Sequence, residues 1–193
     1  MNRAPEAALP HAEACVSGTA FCAQRDEIEK EYGRPVLLRA VERLEPAQRE
    51  HVMGALAVSW VPISTQQALY EALAVETGDC AEELHMEMVR RSMERNLRTL
   101  WRLLLRLTSD EAVISRAPVL FKKGYRQGTL EVEKIAEGRA RLRVSGWPNM
   151  PAIALRGLCV GIETILMLVG RRDVRVKSEA SAGGARLEVS WTA

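Results

Sequence analysis

The chain has 193 residues, 47% hydrophobic and 27% charged, with 13 Gly and 8 Pro, a balance that suits one folded unit and excludes a disordered or fibrous chain. Its 27 basic and 25 acidic side chains leave a formal charge of +2, too even for a protein dedicated to gripping phosphate backbones. No stretch reaches the roughly 20 apolar residues of a membrane-spanning helix, and the N-terminus lacks the apolar core of a signal peptide, so a cytoplasmic location is expected.

Residues 1–13 read as a flexible tail, rich in Ala and Pro. Val16-Ser-Gly-Thr-Ala-Phe21 is a short apolar run that reads as an edge strand or a loop, and helical text starts near Gln24. Tyr32-Gly33-Arg34-Pro35 closes one helix and opens the next, whose Val36, Leu37, Ala40, Val41 and Leu44 make one apolar face. Glu45-Pro46 starts another helix, to about Ala57, and Trp60-Val61-Pro62 reads as a bend. Ser64 is a candidate N-cap for a helix over 65–76 that buries Leu69, Leu73 and Val75. Thr77-Gly78-Asp79 breaks the chain again, and Asp79 opens the longest helix, 80 to about 107.

That helix carries Arg90, Arg91, Arg95, Arg98, Arg102 and Arg106. A phosphate- or membrane-facing stripe over 90–106, for nucleic acid continued by the basic exit Lys122 to Arg126, is one reading. A solvated face paired with Glu82, Glu83, Glu87 and Glu94 at helical spacing is the preferred one, so nucleic-acid binding is not favoured. Ser109-Asp110-Glu111 caps the following helix, and Pro118 predicts a break between Arg116 and Leu120.

From Gly128 the apolar period changes from 3.6 to 2. Residues 129–135 and 139–145 form a hairpin about Ala136-Glu137-Gly138, with Ala140, Leu142 and Val144 facing in and Arg139, Arg141 and Arg143 facing out, opposite Glu131 and Glu133. A second hairpin, 173–179 and 185–191, turns at Ala182-Gly183-Gly184. Between them lies a helix over about 150–169 whose strongly polar residues are Arg156 and Glu163 alone. Such a helix must be buried on most sides, between the sheet and a further layer. Gly157 and Gly161, four apart, each cost about 1 kcal/mol against alanine inside a helix, a cost that close approach of a neighbour, the preferred reading, or room for a bound apolar molecule offsets. The fold class is thus α+β: an N-terminal helical half, 14–108, packed on a β-β-α-β-β half, 109–193, with a four-stranded antiparallel sheet and one shared core.

Chemistry-bearing motifs are few. There is no nucleophile elbow, phosphate-binding glycine loop or H-E-x-x-H, so the chain reads as no enzyme. Cys15, Cys22, Cys80 and Cys159 are scattered free thiols; His11, Cys15 and Cys22 fit no common zinc spacing; His51 and His85 read as surface or boundary residues.

The segment Arg116-Ala-Pro-Val-Leu-Phe-Lys-Lys-Gly-Tyr-Arg-Gln-Gly128, Gly146-Trp147-Pro148, the glycine-bearing helix and Leu187-Glu-Val-Ser-Trp191 resemble a group of heavily duplicated, uncharacterised myxobacterial proteins. The C-terminal half is also similar to 4-vinyl reductase domains and their relatives, the haem-nitric-oxide-binding domains and the Bet3-like tethering subunits. That resemblance implies helices on a four-stranded sheet, a dimer and often a small apolar ligand. Cys159 stands where 4-vinyl reductase domains place a helix cysteine, whereas their hairpin cysteines, and the proximal histidine and Tyr-Ser-Arg signature of haem sensors, have no counterpart here. No cofactor is therefore expected. The function that follows is a non-catalytic regulatory or signalling module that binds a protein partner, a second copy of itself and a small hydrophobic ligand. Its candidate contacts are Trp101, Phe121, Tyr125, Trp147, Arg156, Gly157, Cys159, Gly161 and Glu163. The alternative is a metal- or haem-dependent sensor or enzyme using Cys159, His85 or the Cys15/Cys22 pair.

Overall fold

The computed structural model describes residues 13–97 and 109–192. Trp101, Arg98, Arg102, Arg106, His11 and nearly all of the expected tail lie outside the described residues. Two short strands, β1 (Cys15–Ser17) and β2 (Trp60–Pro62), pair antiparallel about Val16↔Val61. Trp60-Val61-Pro62, expected as a bend, is thus a strand. A three-residue strand has no periodicity to detect, and it exists only because a partner 45 residues away supplies the ladder.

Helix α1 (Gly18–Tyr32) begins directly after β1, six residues before the expected Gln24, because the Ser17 hydroxyl accepts from the Ala20 amide at 3.3 Å and caps it. Next come α2 (Arg34–Glu42), with Pro35 in its first turn, and α3 (Pro46–Gly54), closed by a reciprocal Glu45/Gln48 capping box. Helix α4 (Ile63–Thr77) starts at Ile63; Ser64 is no cap, since its hydroxyl donates to Glu13. Leu69 and Leu73 are buried as expected, but Val75 is exposed, and the inward face is completed by Thr65, Gln66, Tyr70 and Ala72. Gly78 ends α4 at φ +80, and α5 (Ala81–Leu97) follows. The expected break near Pro118 separates α6 (Asp110–Ile114) from α7 (Ala117–Gly124).

The C-terminal half matches the alternation closely. Strands β3 (Thr129–Ala136), β4 (Arg139–Ser145), β5 (Arg172–Ser181) and β6 (Gly184–Thr192) form one antiparallel sheet in the order β3-β4-β6-β5. On β4, Ala140, Leu142 and Val144 are buried between exposed arginines; on β6, Ala185, Leu187, Val189 and Trp191 are buried. Outside, Arg143 pairs with Glu131 at 2.8 Å and Glu133 at 3.2 Å, and Arg141 with Glu188 at 3.5 Å. Gly138 supplies the φ of +65 that the first hairpin turn requires.

Helix α8 (Ala152–Leu168) lies between this sheet and α5. Leu158, Val160, Ile162 and Leu166 are buried along it, each stabilising the fold by about 1.5–3 kcal/mol. A single buried apolar cluster runs from Val16 and Phe21 through Leu73, Met88 and Leu158 to Leu187 and Trp191. Among the described residues no helix is long and apolar enough to cross a membrane.

Candidate functional site

The buried stripe of α5 runs Leu84, His85, Met88, Val89 and Ser92, steps of three and four that turn one side of the helix into the core. This places His85 inside, 2% exposed, and corrects its reading as a surface or boundary residue. The spacing from His85 to Met88 and Ser92 carried that signal; its polarity hid it. The ring meets Tyr70 of α4 edge to face, centroids 4.9 Å apart. Tyr70 offers the imidazole no proton, because its hydroxyl donates to Gln24 Oε1 at 2.9 Å, an oxygen that also accepts from Gln66 Nε2 at 2.9 Å. His85 Nδ1 is left buried with no hydrogen-bond partner. Burial holds the ring's pKa down, to about 4, so His85 is neutral at pH 7.

Across from His85 stands Gly157 of α8. A Cβ there would lie 3.0 Å from His85 Cε1 and 3.3 Å from Tyr125 Oη, so the absence of a side chain lets the imidazole and the phenol flank the helix backbone. Tyr125 donates its hydroxyl to the Ala154 carbonyl at 3.2 Å, and burial pushes its ionisation upward. Its ring packs on Phe121 at 5.2 Å and Trp147 at 5.4 Å. The fold thus brings Phe121, Tyr125, Trp147 and Gly157 together and adds His85, Tyr70 and Gln24.

Beside His85 a cleft of about 230 Å³ opens between α4, α5 and α8. Ala81, Ala152 and Ile153 form its apolar wall, and Gln67, Glu71, Glu82 and Arg156 stand around it with Tyr70 and His85. Arg156 is paired with Glu82 of α5. Of this lining, Arg156 alone belonged to the candidate contacts read from the sequence, and His85 to the alternative. The rest come from three helices whose mutual packing no local pattern encodes.

The other candidates lie elsewhere. Glu163 Oε1 accepts from the Val176 amide of β5 at 3.2 Å, so Arg156 and Glu163, seven apart on one stripe, tie α8 to two different neighbours. Cys159 is half-buried against Ser178 of β5, its thiol pushed up chiefly by burial, which opposes the thiolate that a nucleophile or metal ligand needs. Cys159 and His85 therefore engage different elements and form no pair. Gly161 faces Met93, with the sulfur 3.4 Å from a built Cβ. Cys15 and Cys22 point their thiols at the carbonyls of Glu13 and Ala55, both at 3.3 Å, and no cluster of three His, Cys, Asp or Glu able to hold a metal exists among the described residues. Of the arginine stripe, Arg90 and Arg91 pair with Glu87, while Arg91 and Arg95 reach α1 at Glu31 and Glu27. These arginines staple two helices, a use that helical spacing alone missed.

The fold is similar to that of solved haem-nitric-oxide-binding (H-NOX) domains. The Fe(II) unliganded H-NOX protein from K. algicida matches at a TM-score of 0.67 and 12% identity, over 92% of this chain and 97% of that one. A point variant of the H-NOX from T. tengcongensis matches at 0.63 and 13% identity, over 92% and 98%, and an H-NOX structure concerned with haem distortion at 0.62 and 11%, over 91% and 94%. No protein-family model and no curated protein matches the chain.

Proposed function

We propose that this chain is a non-enzymatic sensor module on the H-NOX scaffold, taking a small ligand in the cleft at His85 and reporting its presence through α8 to the sheet and to a protein partner or second copy. The observation that carries the reading is the buried, unpartnered imidazole beside a cleft, within a fold shared along nine-tenths of the chain with H-NOX proteins, one of them described for its haem distortion. The route outward is built in: Arg156 and Gly157 touch the α5 side, and Glu163, two turns on, holds the backbone of β5. This route supports the sensor alternative over a module that only docks a protein.

For haem itself the described residues are a poor fit. His85 has the chemistry of an axial donor, a neutral buried nitrogen. A porphyrin also needs an apolar slot well above the roughly 300 Å³ at which drug-sized pockets begin, and the cleft has about 230 Å³ with two carboxylates and a guanidinium around it. No step is therefore routed through iron. Titration of the purified chain with hemin, followed by native mass spectrometry, tests the reading. The expected result is a small co-purifying mass and no intense Soret band. A one-to-one hemin complex whose band is lost in His85→Phe would transfer the assignment to a haem-dependent sensor, and a ligand-free chain indifferent to every additive would sink both.

A further inference from the structure

The four-stranded sheet ends on one side at β3 and on the other at β5. Strand β3 is interrupted by a bulge between Val132 and Lys134 and has α7 packed against it. Strand β5 pairs without a break from Arg175 to Ser181, contains no proline, and is exposed throughout Lys177 to Ser181. Its hairpin closes on Ser181↔Gly184, so the alternate residues Ser181, Glu179, Lys177 and Arg175 exchange hydrogen bonds with β6. The amides and carbonyls of Val176, Ser178 and Ala180 therefore point out of the sheet. Glu163 of α8 confirms this direction, since its carboxylate accepts from the Val176 amide at 3.2 Å. The Ser178 and Ala180 amides meet no side-chain acceptor among the described residues, which leaves a row that one further strand completes.

We propose that this strand is β5 of a second copy, antiparallel to the first, with the two-fold axis at Ser178. Val176 then stands opposite Ala180 of the second copy, and Ser178 opposite its own equivalent, each pair exchanging two hydrogen bonds. Between them, in the closer positions on the solvent face, Lys177 of each copy meets Glu179 of the other. Charge selects this register: an axis at Val176 would oppose Arg175 to Lys177, and one at Lys177 would oppose the two lysines. The alternation of Lys177 and Glu179 complements itself, which a partner of a single charge would not match. Such a contact is closed and stops at a dimer. Glu163 must release the Val176 amide before the strands can join, so it guards the edge. The inference rests on the sensor reading for α8 as the route to this edge, and it names the second copy as the partner.

The test is sedimentation equilibrium of the whole chain at pH 7.5, from about 10 μM to about 1 mM, the range in which a small contact dissociates. A reversible dimer is expected. Lys177→Glu and Glu179→Lys, each alone, should weaken it about tenfold or more, because both cross-copy pairs become like-charged. An equal mixture of the two variants should restore it, since every pair is then opposite in charge, and this recovery also shows that both are folded. Ala180→Pro removes an outward amide that the sheet does not use and should abolish the dimer. Glu163→Ala should tighten it about two- to tenfold by removing the competing acceptor. A monomer at every concentration overturns the pairing, as does a dimer indifferent to Lys177→Glu and Ala180→Pro, or a mixture that fails to recover. None of these results touches the cleft, so the sensor reading stands or falls separately on the hemin titration and the co-purifying mass.

Discussion

The two sides of α8 are built from different materials. The sheet beneath it contributes buried Leu142, Leu187, Val189 and Trp191 to the core, and the one buried polar side chain on that helix, Thr164, satisfies itself on the Val160 carbonyl at 2.7 Å. The helical half, by contrast, buries Gln24, Glu27, Thr65, Gln66, His85 and Ser92 among the described residues. Most of these are matched: Gln24 accepts from Gln66 and Tyr70, and Glu27, whose Oε1 makes no hydrogen bond, faces the Arg95 charge at 3.0 Å. His85 Nδ1 is not. An unmatched buried nitrogen costs about 1–3 kcal/mol, a cost the sheet side nowhere carries in its described side chains. The sheet side is thus a packing solution, and the α4–α5 side buries polar groups that packing alone leaves incompletely matched.

The contrast can be broken in three ways. The largest effect belongs to the sheet: Leu187→Ala, at a position with no solvent exposure, should cost about 2–5 kcal/mol in chemical denaturation, and a loss under 1 kcal/mol would show that the core there collapses freely.

Next is acid. His85 has a folded-state pKa of about 4 against an ordinary 6.5, so as pH falls the unfolded chain takes up the proton first. Stability that is complete above about pH 6.5 should decline and level off near pH 4, by about 3 kcal/mol in all. Tyr70 from α4 and Gly157 from α8 pack on the ring and carry no charge at these pH values, while Glu71, Glu82 and Arg156 stand around the cleft. Comparing wild type with His85→Gln from pH 7.5 to 4 isolates the contribution, and identical profiles would show that the histidine is not paying this desolvation cost.

The smallest effect separates the two glycines of α8. Gly161→Ala meets only the flexible end of Met93 and should be neutral or stabilising by up to about 1 kcal/mol. Gly157→Ala drives a methyl into His85 and Tyr125 and should destabilise by about 1 kcal/mol despite the same gain in helix propensity. Equal melting temperatures for the pair would refute the claim that His85 is held tightly against α8.

The sheet was legible because its information is local. Alternation along β4 and β6, Gly138 at a turn that needs positive φ, and cross-strand Glu131/Arg143 are all visible within thirty residues or so of text. The breaks at Gly33, Gly78 and Pro118 are local in the same sense. The candidate site was less so. Gly157 and Arg156 could be picked out as anomalies in a greasy helix, but a lone histidine in a helix is silent about which way it faces, and Glu71, Tyr70 and Ile153 carry no mark of their own. Val75 misled because its place in the apolar pattern was real while no neighbour covers it.

Composition and periodicity alone therefore determined an α+β chain, the hairpins with their inward residues, and a central helix that water cannot surround, since each follows from backbone geometry and the polarity of residues near in sequence. Tertiary structure alone decided that β1 finds β2, that Arg91 and Arg95 bind α1, that Cys159 turns to the sheet, and that His85 goes inside without a hydrogen-bond partner. Those outcomes depend on which helices meet and at what angle, a balance of many small contacts spread over the whole chain, and the cleft exists because three helices converge beside His85.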